Sequence, residues 1–113
     1  MARNISFMLA ENQIRARTKT VTRRHGWLFL KDGDPLTAVE KNQGLKKGEK
    51  VKRLCSIRVV SARREPLAAI TPEDCVKEGF PEMTPEDFIS FYAGHNKIAR
   101  DDEVTRIEFE YLD

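Results

Sequence analysis

Arg15-Ala-Arg-Thr-Lys-Thr-Val-Thr-Arg-Arg24 puts Arg15, Arg17, Lys19, Arg23 and Arg24 beside three threonines, Thr18, Thr20 and Thr22, within ten residues. Cations neutralise phosphate, and hydroxyls are compact donors and acceptors. A packed core needs neither, so the stretch reads as serving a ligand. The competing reading is a solvated, charged connection between two elements. The conformation of this stretch decides how the chain folds around it. A helical turn over 19–24 puts Lys19, Thr22 and Arg23 on one face. A strand sends Lys19 and Thr22 to opposite faces. The β-branched run Thr20-Val-Thr22 disfavours a long helix. A short turn stays allowed, and a site shared by Lys19 and Thr22 is expected to need it.

Outward from that stretch, the apolar run Ile5–Leu9 has strand length, and Ala10–Arg17 holds helix formers with no breaker. His25-Gly26 reads as a helix stop, followed by the apolar anchors Trp27, Leu28 and Leu30. Lys31-Asp-Gly-Asp34 is a tight turn by composition, and Leu36–Val39 a second strand. Lys41–Lys50 is polar, with two glycines and four lysines, and reads as a hairpin loop or an exposed flap. Val51–Arg64 is the longest strand candidate. Its alternation is imperfect at Leu54 and Val60, as expected of a strand partly buried on both faces of a small barrel.

Two cassettes follow, Thr71-Pro-Glu-Asp74 and Thr84-Pro-Glu-Asp87. Each supplies an N-cap threonine, a proline at the first helical position and carboxylates in the first turn. The first helix ends near Gly79 and the second near His95, with Phe88, Ile89, Phe91 and Tyr92 as an apolar stripe facing the core. Glu103–Leu112 closes the chain as a strand. The order predicts one α+β domain over 1–113, with strands distant in sequence pairing into a small barrel-like sheet.

The composition is that of an ordinary soluble domain: 40% hydrophobic, 34% charged, net charge +2. The longest apolar runs, such as Trp27–Leu30, are too short to span a bilayer. Met1-Ala-Arg-Asn4 precedes no apolar h-region, so a cytoplasmic protein is expected. Cys55 and Cys75 make no disulfide framework. With His25 and His95 they share no ligand spacing, so neither a metal nor a cofactor is expected. There is no Gly-rich phosphate loop and no nucleophile elbow. The net charge hides a split: +11 over residues 1–64 and −9 over residues 65–113. Either a basic face awaits an anionic partner, or the halves neutralise each other across the fold.

Lys19-Thr-Val-Thr22 with Arg24, after a strand and a short helix, resembles the Lys-Thr-x-Thr-x-Arg signature of ASCH domains. The turn Leu30-Lys-Asp-Gly-Asp34 and the closing strand Arg106–Tyr111 are similar to that family as well. The resemblance implies a PUA-like β-barrel with short flanking helices and a role in binding RNA or modified nucleosides. Some small bacterial members are amidohydrolases that deacetylate N4-acetylcytidine with a lysine proton acceptor, a threonine nucleophile and a glutamate proton donor. Carried onto this chain, those roles fall on Lys19, Thr22 and Glu78. The chain departs from the pattern just before the signature, where Arg17-Thr18 replaces Gly-Arg, and in the helical segments.

Amide hydrolysis needs a nucleophile, a base and an acid for the leaving amine. Lys19 must then be neutral near pH 7, through burial or the nearby cations Arg17, Arg23 and Arg24, while Glu78 opposes this. The plain alternative is a Lys19–Glu78 ion pair joining the basic turn to the helix. Trp27 stacks on a base or packs in the core. Tyr92 and His95, at helical spacing, face a pocket, or His95 serves the helix dipole.

The favoured reading is a binding module for RNA or a modified nucleoside, monomeric, using Arg15, Arg17, Thr20, Arg23, Arg24 and Trp27. Its sharper form is an amidohydrolase acting through Lys19, Thr22 and Glu78, which predicts a closed pocket of small-ligand size. A third is a non-enzymatic protein-interaction domain whose basic turn docks an acidic partner.

Overall fold

Strand β4, Arg53–Pro66, is the spine of the sheet. Its first half alternates cleanly: Cys55, Ile57 and Val59 are buried, while Arg58 and Val60 are exposed. An irregularity between Val59 and Ser61 then shifts the register, which is why strict alternation fails there. In a computed structural model that describes residues 2–7, 9–41 and 47–112, five strands assemble in the order β1-β3-β4-β5-β2. Here β1 is Arg3–Ser6, β2 is Val21–Arg24, β3 is Pro35–Val39 and β5 is Glu103–Tyr111. Only β1 and β3 are parallel; the other pairs are antiparallel. The sheet is a mixed half-barrel with three short helices, an α+β fold of the small PUA-like barrel type.

The helices are α1 Glu11–Arg15, α2 Pro72–Lys77 and α3 Pro85–Asn96. The two Thr-Pro cassettes do what their composition predicts. Thr71 caps α2 and Thr84 caps α3, each accepting from the backbone N–H of the third helical residue, and Asp87 completes a capping box. Among the described residues no helix is long and apolar enough to cross a membrane.

Two apolar clusters form. One fills the barrel, with Ile5, Phe7, Ile57, Ile107 and Phe109 among its members; the other, including Leu67, Cys75, Phe88 and Val104, seats α2 and α3 on the sheet. Strand β5 feeds both. Ile107 and Phe109 point into the barrel, while Val104 and Arg106, on the opposite pleat, face the helices.

Four sequence expectations change. The helical turn over 19–24 does not form: Val21–Arg24 is a strand paired with β5, as the β-branched run favours. The first strand ends at Ser6 rather than Leu9. Gly26 turns the chain after a strand, with φ +88°, instead of stopping a helix. Leu28 is no anchor, being 71% exposed. The loop read over 41–50 lies outside the described residues at 42–46.

Candidate functional site

The open sheet has two edges, β1 and β2, and they meet. The Arg24 guanidinium donates through Nη2 to the Ser6 carbonyl at 2.6 Å, joining β2 to the end of β1. Beside this junction lies a cavity of about 400 Å³, within the range of small-molecule sites. Ser6 and Phe7 line one wall, Lys19 and Thr22–Arg24 a second, and Glu78 and Phe80 a third. Helix α3 adds Phe88, Phe91, Tyr92, His95 and Asn96 to its lining. Because the cavity lies at a sheet edge and Lys19 precedes the strand, Lys19 and Thr22 both reach it without a helical turn.

Lys19 is held from several sides. Its N–H donates to the Gln13 carbonyl, and its own carbonyl accepts from the Tyr111 hydroxyl at 2.5 Å. Its ammonium, in a side chain 3% exposed as a residue, donates to Glu78 Oε1 at 2.7 Å and to the Glu78 carbonyl at 2.9 Å. Burial depresses the Lys19 pKa below its ordinary value, and the Glu78 charge only partly opposes this. Glu78 stands just beyond α2, where Gly79 turns the chain with φ +96°. A Cβ on Gly79 would lie 2.6 Å from Gln13 Cγ, so only glycine lets this corner pack against α1.

Thr22 accepts a hydrogen bond at Oγ1 from Arg24 Nε at 3.1 Å. Arg24 lies 4.9 Å from the centre of the Phe7 ring, a cation–π distance. Burial lowers the Arg24 pKa.

Behind the cavity lies an ion network. Arg23 and Arg106 are direct cross-strand partners on β2 and β5. Like charges so placed repel, and carboxylates resolve the conflict. Asp74 accepts from Arg23 at 2.6 Å and from Arg106 at 2.7 and 3.0 Å. Glu65 and Glu78 accept from Arg23 at 2.8 and 2.9 Å. The Arg106 bidentate contact, with Arg23, holds the Asp74 carboxyl far below the usual carboxylate range against the opposing effect of burial. Burial works against the Arg23 charge, but Glu78, Asp74 and Glu65 outweigh it and raise its pKa. Two buried polar atoms have no partner among the described residues, Arg23 Nε and Tyr92 Oη.

Of the residues singled out from sequence, the cavity brings together Lys19, Thr22, Arg23, Arg24 and Glu78. It leaves out Arg15, Arg17, Thr20 and Trp27. Arg15 pairs with Glu11 on the exposed face of α1. Arg17 lies over the Tyr111 ring. Thr20 is bound through its backbone to Lys77 and Phe109. Trp27 packs on Phe29, with ring centroids 5.4 Å apart, and on the barrel core. Arg23, far from being a free phosphate ligand, is committed to three carboxylates.

Among solved structures, protein EF3133 of Enterococcus faecalis V583, of the DUF984 family, matches 99% of this chain and 80% of its own at TM-score 0.67 and 14% identity. An ASCH domain from Lactobacillus crispatus JV V101 matches 96% of this chain and 78% of its own at TM-score 0.60 and 16% identity. The chain has an ASCH-like fold. No family model matches the sequence, and no curated protein does.

Sequence reasoning missed three parts of the site in this ASCH-like fold. Phe80 and Phe91 form its aromatic wall, half-buried rather than fully in the core. Arg24 is tied to the nucleophile candidate rather than to phosphate. Asp74 bridges Arg23 and Arg106 behind the cavity. Arg106 carried no signal of its burial, because it shares its strand face with Glu108 and Glu110.

Proposed function

We propose that this protein hydrolyses the exocyclic amide of an acylated nucleoside, N4-acetylcytidine being the test case. The observation that carries the reading is the buried 2.7 Å contact between Lys19 and Glu78 in an aromatic-walled cavity that Thr22 also lines. An RNA-binding groove would present unpaired cations along an open surface. Here Lys19 and Arg23 are engaged with carboxylates, and Arg15 and Arg17 lie elsewhere.

In the reaction as proposed, passing a proton from Lys19 to Glu78 across their 2.7 Å contact leaves Lys19 a free base and Glu78 an acid, the two partners amide cleavage needs. Lys19 Nζ takes the Thr22 hydroxyl proton as Oγ1 bonds to the acyl carbon. Arg24 Nε, donating to Oγ1, favours the alkoxide. The tetrahedral intermediate then breaks its C–N bond, and Glu78 delivers its proton to the leaving amine. The acyl group stays on Thr22 as an ester until water removes it, restoring the hydroxyl. Phe80 and Phe91 offer faces against which a base can stack.

Purified protein incubated with N4-acetylcytidine should release cytidine, measured by chromatography. Thr22→Val, which keeps the side-chain shape, should abolish release with the fold intact by circular dichroism. Equal turnover by Thr22→Val would exclude the threonine nucleophile, and no turnover by the parent protein would exclude the reaction.

A further inference from the structure

Three lysine or arginine side chains line the cavity, Lys19, Arg23 and Arg24. The first two are matched by carboxylates. Glu78 gives Oε1 to Lys19 and Oε2 to Arg23, and Asp74 and Glu65 also accept from Arg23. Following the ion pairs outward adds Arg63 on Glu65, and Arg106 on Asp74 and Glu108. Lys19, Arg23, Arg63 and Arg106 thus balance Glu65, Asp74, Glu78 and Glu108. Arg24 is left over. Among the described residues it makes no ion pair, and its hydrogen bonds go to neutral acceptors, the Thr22 hydroxyl and the Ser6 carbonyl. A guanidinium keeps its charge at any ordinary pH, and a charge drawn out of water without a counter-charge is costly.

The guanidinium also has a donor to spare. Nε and Nη2 are engaged, whereas Nη1 makes no hydrogen bond among the described residues and, unlike Arg23 Nε, keeps accessible surface. Arg24 as a residue is only partly buried. The alkoxide forming on Thr22 draws on Nε, so the proposed chemistry leaves Nη1 unused. Because Nε lies 3.1 Å from Thr22 Oγ1, a group met by the same guanidinium sits a few bonds from the carbon that Thr22 attacks. The phosphate of a nucleotide, across the base and the sugar from the exocyclic amide, is too remote. A carboxylate at the end of the acyl group is not, and carboxylate oxygens suit guanidinium donors.

We infer that the acyl group removed at this site carries its own carboxylate, held by Arg24 beside Thr22, so that the preferred substrate is the half-amide of a dicarboxylic acid. This rests on the reading of the cavity as a site of amide hydrolysis. The reaction keeps its balance: the acyl C–N bond breaks, the amine leaves with a proton, water adds its hydroxyl to the acyl carbon, and the distal carboxylate is unchanged. N4-succinylcytidine yields cytidine and succinate.

The test compares hydrolysis of N4-succinylcytidine with that of N4-acetylcytidine, and binding of succinate with that of its neutral isostere succinamide by calorimetry. Expected are a kcat/KM roughly tenfold higher for the succinyl substrate, the worth of one charge-assisted hydrogen bond, and binding of succinate but not of succinamide. In Arg24→Gln both preferences should disappear, whatever the absolute rate. Equal or lower kcat/KM for the succinyl substrate in the parent protein, succinate binding no tighter than that of succinamide, or preferences undiminished in a folded Arg24→Gln would each overturn the inference. Should Arg24→Gln fail to fold, since Arg24 ties β2 to β1, the two comparisons on the parent protein decide alone. Turnover of N4-acetylcytidine without either preference sinks the inference and leaves hydrolysis standing. Succinate binding that needs Arg24, without turnover of either substrate, sinks hydrolysis and leaves the carboxylate subsite.

Discussion

In the proposed reaction Lys19 and Glu78 act as a pair across their 2.7 Å contact. The active form carries a single proton, because Lys19 must accept and Glu78 must donate. On the alkaline side the pair gives up that proton. Burial has lowered the lysine, so kcat/KM for N4-acetylcytidine should fall at a pH below the ordinary lysine value of 10.5. Glu78→Gln removes the acid and leaves a lone base. Its residual rate should rise with pH, and do so at lower pH than the parent's fall, because neutral Lys19 becomes the limiting form and the Glu78 charge that raised the lysine is gone. A parent profile that keeps rising with pH would contradict the shared proton. The three residues were legible as residue types. The family resemblance grouped them and a Lys19–Glu78 pair was expected, but the route was not legible: the turn expected over 19–24 is a strand, and the position of β2 at an open edge lets Lys19 and Thr22 share a cavity.

At the scale of the element, the caps set where the site's helices begin. Thr84→Ala should cost about 1 kcal/mol of stability by denaturant unfolding, and α3 would still present Phe91 and Tyr92 to the cavity, so activity at low temperature should survive. Gly79→Ala should behave differently. A left-handed alanine costs about 1–2 kcal/mol, and its Cβ would press on Gln13, whose carbonyl orients Lys19. Loss of stability and loss of turnover should therefore appear together. Full activity in Gly79→Ala would show that the corner after α2 does not position Glu78. The helix starts were readable because capping is local chemistry. The aromatic wall was not, because Phe88, Phe91 and Tyr92 lie on one stripe whether that stripe faces a core or a cavity.

Over the whole molecule, the two oppositely charged halves of the sequence meet inside. Arg23 on β2, Arg106 on β5, Glu65 on β4 and Asp74 on α2 form one network behind the cavity. These contacts join the two halves, while other cations of the first half, such as Lys52, Arg58 and Arg63, stay largely exposed. Such a network is weak evidence for net stability but costly to break. Asp74→Asn leaves two arginines undercompensated and should destabilise the fold by roughly 3–5 kcal/mol. The sign with pH follows from the depressed Asp74 pKa. The stability it contributes is complete above the unfolded carboxylate value and is lost as pH falls toward the folded one. Acid unfolding should therefore be steeper in the parent protein than in Asp74→Asn. Equal acid dependence would remove Asp74 from the account.

The most direct test is to offer N4-acetylcytidine in two forms, as the free nucleoside and within a short RNA strand, and to measure deacetylation by the parent protein and by Thr22→Val. A cavity of this size, walled by α3 and backed by paired rather than free cations, predicts rapid release of cytidine from the nucleoside, little from the strand and none with Thr22→Val. Deacetylation confined to the strand, or release undiminished in Thr22→Val, would contradict a nucleoside-sized site that works through Thr22.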